Sequence, residues 1–194
     1  ASSGDTIFIR SGAYTENITL KAGVNLTAFG GDSSLNATGK VIISGTCTLT
    51  TAGSVTISGI QLQTNSAALL AVTGSSASIV NLVDCYLNCT NNSGITFSSS
   101  SASSKIILNT CFGNIGTTGI ALFAHSSAGA MQFQYSEFEN SGATVTSATQ
   151  SSGATDFLYS RFLFPITTSL TASFSAQHCV FDTNAQNTTV LTIG

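Results

Sequence analysis

Tryptophan is absent from this chain, proline and methionine occur once each, and only 13 of its 194 residues are charged, five of them basic. So few Lys and Arg side chains, scattered from Arg10 to Arg161 under a net charge of −3, give no electrostatic footprint for a phosphate backbone and no basic patch for a membrane surface. No nucleic-acid partner is expected. No apolar run approaches the roughly 18 to 20 residues of a membrane helix. The first residues also lack the basic, apolar and small-residue succession of a signal peptide, so no membrane insertion is expected. Asn-Gly and Asp-Gly dipeptides are missing too, which argues against antiparallel hairpins joined by two-residue turns.

What the chain has in place of charge is hydroxyls: Ser and Thr number 58, and with 42% hydrophobic residues the composition excludes a disordered chain. The apolar residues recur at a fixed interval. Leu70, Ile95, Ile120, Val145 and Leu170 lie 25 residues apart, and a second ladder, Ile57, Leu82, Leu108, Phe133 and Phe157, advances by 25, 26, 25 and 24. Within each unit the apolar residues alternate, as in Val55 and Ile57 or Ile95 and Phe97, which is the period of a strand. Clusters such as Ser98 to Ser104 and Gly113 to Gly119 separate the strands. Units of this length that bury their apolar face only against their neighbours form a stacked array. The first ladder extends back through Cys47 and Leu49 to Ile18 and Leu20 and forward to Val190, the second back to Leu26 and forward to Ala176. The expectation is an all-β, single-stranded parallel β-helix of about seven coils of roughly 25 residues. Residues 1–194 are expected to form one β-helix domain, a fragment of a longer chain, because a solenoid requires a capping element at each end.

Five cysteines, Cys47, Cys85, Cys89, Cys111 and Cys179, show no metal-ligand spacing, and no metal or cofactor is expected. Cys85, Cys111, Ser136, Ser160 and Cys179 share one column of the repeat, the pattern of a small buried residue repeated in a tight interior. Stacked cysteines at the strand spacing can also bridge in an oxidising setting. The six Asn-X-Ser/Thr patterns, at Asn17, Asn25, Asn36, Asn88, Asn91 and Asn187, follow from composition and imply no secretory origin.

The stretch GDTIFIRSGAYTENITLKAGVNLTAFGG, Gly4 to Gly31, resembles the opening coil of pectin-lyase-like right-handed β-helix proteins, in which a GDTI...G.Y.E.I.L..GV.L.G pattern introduces the solenoid. The resemblance implies a right-handed coil. That superfamily spans pectate lyases, pectin methylesterases, polygalacturonases, bacterial adhesins and phage tailspikes and tail fibres, so it speaks to architecture more than to chemistry. The charge-poor, Ser/Thr/Asn/Gly-rich coils most resemble phage or virus appendage proteins. For such a protein the resemblance implies a homotrimer on the virion that displays a surface to host glycans. A polysaccharide-degrading enzyme and a bacterial surface adhesin, secreted or cell-surface, are the alternatives.

Enzymes of this superfamily carry recognisable polar clusters. Asp156-Phe157-Leu158-Tyr159-Ser160 faintly resembles the DFxFG-like segment that holds the nucleophilic Asp of pectin methylesterases, but the Gln-Asp pair and the Arg-Pro-Trp segment are missing. Phe157 is moreover a member of the core ladder. Neither Arg10 nor Arg161 has the acidic cluster that a calcium-dependent lyase would need. Glu137 and Glu139, two apart on one strand, point the same way and form a candidate pair of hydrolytic carboxylates, with Asp156 as a third. Arg161 lies 24 residues after Glu137, so the competing expectation is a surface ion pair between coils. His125, following Leu122 and Phe123, is expected in a loop. Tyr135, Tyr159 and His178 occupy equivalent outward positions in three successive coils, beside Glu137, Arg161 and Asp182. Aromatic rings flanked by hydrogen-bonding charges suit sugars, which makes Tyr135, Tyr159, Arg161, His178 and Asp182 a candidate glycan site; the competing reading is ladder stacking alone.

Overall fold

The computed structural model describes residues 1–29, 40–64, 67–89, 94–115, 122–140, 148–163, 166–168, 172–182 and 191–193. Among them no helix occurs, and the strands fall into three parallel sheets of eight strands each. Sheet A runs from Thr6–Ile9 to Ser173–Gln177, sheet B from Gly12–Tyr14 to Val180–Phe181, and sheet C from Ile18–Thr19 to Leu191–Ile193. The chain visits A, B and C in turn and returns one rung along the axis, which makes a parallel β-helix. Eight strands per sheet is one more than the expected seven coils.

The second ladder is in register at every step: Leu26 pairs with Ile57, Ile57 with Leu82, then Leu108, Phe133, Phe157 and Ala176. The first ladder holds from Ile18 through Cys47 and Leu70 to Ile95. There the register departs from expectation, because Ile95 pairs with Phe123, three residues beyond Ile120, and the column continues through Ile166 to Leu191. Ile120, Val145, Leu170 and Val190 lie outside the described residues. An apolar period marks a coil but not where a loop inserted into it begins, so a longer link between sheets B and C moves the partner by a few residues without disturbing the next strand of sheet A.

Inward side chains build one continuous core. Its early coils are aliphatic, with Ile43, Leu49, Ile57, Leu62 and Leu82 fully buried, and its later coils are aromatic. Phe133 and Phe157 stack at 5.0 Å on the sheet A side, Phe138 and Phe162 at 5.7 Å on the sheet B side, and the two stacks meet edge to face. Burying a side chain of this size contributes roughly 1.5 to 3 kcal/mol relative to leaving it in water.

The interior also holds hydroxyls. At the corner from sheet C to sheet A, buried Ser99 and Ser104 share a 2.7 Å hydrogen bond, Ser104 Oγ accepts from Ser78 N, and Ser127 Oγ donates to Ser99 O. These hydroxyls satisfy backbone groups where the strand ladder is interrupted, so the corner carries few unpaired groups in an apolar setting.

Candidate functional site

The corner from sheet A to sheet B is built the same way in six successive coils. In each of these coils the sheet A strand is followed at once by a residue with left-handed backbone: Gly59 at φ 67°, then Asp84, Thr110, Tyr135, Tyr159 and His178 at φ between 48° and 54°. Apart from glycine, such a conformation costs roughly 1 to 2 kcal/mol per residue. The strain is held by the ladder, because Tyr135 N donates to Leu158 O and Tyr159 N to Gln177 O, both at 3.0 Å. The next residue turns inward: Cys85, Cys111, Ser136 and Ser160 are buried, and Cys179 is half-buried. Ser136 and Ser160 each donate to the carbonyl two residues back at 2.9 Å, and the thiols of Cys85, Cys111 and Cys179 point at the same carbonyl at 3.2 to 3.5 Å. In the first of these corners buried Ile60 holds the position, and in the five that follow a small donor, Cys or Ser, occupies it. None of the five cysteines is in a disulfide.

The left-handed column changes character along the axis. Asp84 and Thr110 are polar, and Thr110 Oγ1 donates to Asp84 Oδ1. The last three members are aromatic and outward. Tyr135 and Tyr159 stack with centroids 5.3 Å apart and planes within 4°, and Tyr159 and His178 at 4.7 Å within 5°. Tyr135 and Tyr159 remain 54% and 50% exposed. This is the outward column expected from the sequence, and it forms a ridge along the solenoid.

On the sheet B side of the ridge, Arg161 Nη1 meets Glu137 Oε1 at 2.5 Å, the ion pair between coils that the 24-residue spacing predicts. Glu139 is exposed on the same strand, and its neighbour on the next coil is Leu163. The residue stacked on Arg161 is Val180, so Asp182 lies farther along its chain than the ridge-flanking row expected for it, with its N–H bonded to Phe162 O at 2.8 Å. Asp156 stands on sheet A, a different face from Glu137 and Glu139, where Gln132 Nε2 donates to it at 3.4 Å. The three candidate carboxylates are thus divided between two sheets, and one of them is tied to a guanidinium.

The sheet A side of the ridge holds residues that the sequence reading passed over. Two outward rows, Gln134–Leu158–Gln177 and Gln132–Asp156–Ser175, run in register across the same three coils and line a shallow trough of about 300 Å³. A signal was available: adding the local coil steps of 24 and 19 to Gln134 gives Leu158 and Gln177.

His125 is not in a loop. It ends the sheet C strand Phe123–His125, fully buried, with its ring stacked on Phe97 at 4.9 Å and its Nδ1 sharing a 3.0 Å hydrogen bond with Thr155 Oγ1. Nε2 has no hydrogen-bond partner among the described residues. Burial lowers the pKa of this imidazole to about 4. Also among the described residues, no three His, Cys, Asp or Glu side chains converge as a metal site would require.

Comparison with protein-family models, with curated proteins and with solved structures finds no match to this chain.

Proposed function

We propose that this chain is a structural and recognition segment of a pectin-lyase-like, right-handed β-helical appendage, of the kind found in phage or virus tail fibres and tailspikes, and that it binds surface glycans on the Tyr135–Tyr159–His178 ridge. One observation carries the reading. Tyr135 and Tyr159 occupy strained left-handed corners, half-exposed, where glycine or a small polar residue serves the fold in earlier coils. Bulky residues held at a conformational cost without burial in the core mark a functional surface. A rigid array of rings with amides and carboxylates beside it offers sugars apolar contact together with directional hydrogen bonds.

The opening-coil resemblance and the charge-poor coils support the appendage setting, in which the partners are a host-surface glycan and two further copies of the chain in a homotrimer on the virion. Coils with few charges allow subunits to pack without burying unpaired ions. A polysaccharide-degrading enzyme would require converging carboxylates, and the division of Glu137, Glu139 and Asp156 between two sheets does not favour it. The test is a glycan-array comparison of the parent chain with the Tyr135→Asn/Tyr159→Asn variant, together with the solution mass by light scattering. Glycan binding that the variant loses, and a mass near three times 19.7 kDa, agree with the proposal. A monomer that degrades polysaccharides, and stops doing so as Glu137→Gln/Glu139→Gln, would replace it with the enzyme.

A further inference from the structure

We infer that the ligand is a linear, uncharged glycan laid parallel to the solenoid axis in the trough on the sheet A side of the ridge, an inference that rests on the glycan reading above. Direction follows from the register. Gln134, Leu158 and Gln177 stand on three consecutive rungs, with Gln132, Asp156 and Ser175 beside them, so outward positions recur at the inter-strand spacing of about 4.8 Å along the axis and the two amides of the first row, Gln134 and Gln177, stand two rungs apart. An extended pyranose chain repeats at a similar interval. Consecutive sugar units then meet equivalent positions only if the chain runs along the axis, and a chain crossing the sheets would meet the Glu137–Arg161 pair on the far side of the ridge.

The groups that face this trough are amides, a hydroxyl and one carboxylate, with Leu158 between the two glutamines. An amide offers both a donor and an acceptor, which matches sugar hydroxyls that are also both. The ridge adds ring edges and hydroxyl tips more than open faces, because Tyr159 is stacked by its neighbours on both sides.

Neutrality follows from the charges around the site. Among the described residues from Ala130 to Asp182 there are four acids, Glu137, Glu139, Asp156 and Asp182, and, besides the imidazole of His178 on the ridge, one base, Arg161, which Glu137 already engages. Lys105 is the next Lys or Arg back along the chain, and it starts its strand at the end away from the corner. A uronate or sialate carboxylate entering the trough would face Asp156 with no unengaged Lys or Arg provided for it.

The experiment measures binding of neutral hexasaccharides of glucose, mannose and galactose, and of hexagalacturonate, to the parent chain and to Gln134→Ala/Gln177→Ala, with thermal unfolding recorded on both proteins. At least one neutral hexasaccharide is expected to bind, with hexagalacturonate about tenfold weaker or worse. Loss of two neutral hydrogen bonds is expected to weaken neutral binding by about tenfold or more, with the unfolding temperature unchanged. Preference for hexagalacturonate overturns the neutral class. Neutral binding that survives Gln134→Ala/Gln177→Ala but is lost in Tyr135→Asn/Tyr159→Asn overturns the trough and leaves the ridge as the site. No binding by any of these sugars overturns this inference together with the glycan reading.

Discussion

Tyr135 and Tyr159 stand one coil apart with their rings parallel and 5.3 Å between centroids, and both hold their backbone at φ near 50°. The stack and the strain act in opposite directions on stability. An aromatic pair of this geometry contributes roughly 0.5 to 1.5 kcal/mol beyond its buried area, and the left-handed conformation costs roughly 1 to 2 kcal/mol in a residue such as Tyr.

Tyr135→Asn is therefore expected to leave stability within about 1 kcal/mol of the parent, since Asn tolerates the left-handed region. Glycan binding is expected to fall sharply in the same protein. Urea unfolding and a binding isotherm on one preparation check both. A large loss of stability would show that the stack serves the fold alone.

His125 couples stability to pH. Its pKa is about 4 in the folded chain against an ordinary value of 6.5, so between these values the unfolded chain binds the extra proton. The contribution is complete above about pH 6.5 and is lost as pH falls towards 4, by up to about 3 kcal/mol in all. His125→Phe, which keeps a ring on Phe97, is expected to flatten the difference in urea midpoint between pH 7 and pH 5. An unchanged difference in that variant would assign the slope to other groups.

The aromatic half of the core is expected to be the least tolerant of truncation. Phe157 contacts the rings of Phe123, Phe133, Phe162, Phe174 and Phe181. Phe157→Ala is expected to cost about 3 to 5 kcal/mol, whereas Glu137→Gln, which removes an exposed ion pair, is expected to cost less than about 1 kcal/mol. Chemical denaturation of the two variants side by side measures the contrast.

Thiol chemistry reports the corner column. Cys47, Cys85, Cys89 and Cys111 are buried, burial pushes the Cys47 thiol up to about 12, and Cys179 alone is partly exposed. In the native protein an aromatic disulfide reagent is expected to label Cys179 quickly and the other four only after unfolding. Fast labelling of Cys85 or Cys111 would mean that the corner opens.

Much of this architecture is legible in the sequence because a solenoid converts spacing into contact: the run from Leu26 to Ala176 through Phe133 is found by addition alone, and so is Glu137 beside Arg161. The same arithmetic fails after Ile95, where Ile115, Ile120, Leu122 and Phe123 all offer an apolar partner and nothing in the composition of the link marks its length. The three aromatic members of the corner column are legible too, but its left-handed backbone is not, for another reason. Asp84, Thr110, Tyr135, Tyr159 and His178 share no side-chain chemistry, only a backbone conformation at the turn from sheet A to sheet B. The place of His125 is not legible, because a polar residue at a strand end reads as a turn unless the hydroxyl of Thr155, 30 residues away, is known to meet it.

The most direct measurement is hydrogen–deuterium exchange of the chain with and without a saturating neutral oligosaccharide that it binds. Protection is expected at Ala130–Gln134, Ala154–Leu158 and Ser173–Gln177 and at the corners carrying Tyr135, Tyr159 and His178. Protection confined to sheet C, or to the links between sheets B and C, would contradict the assignment of the ridge as the recognition surface.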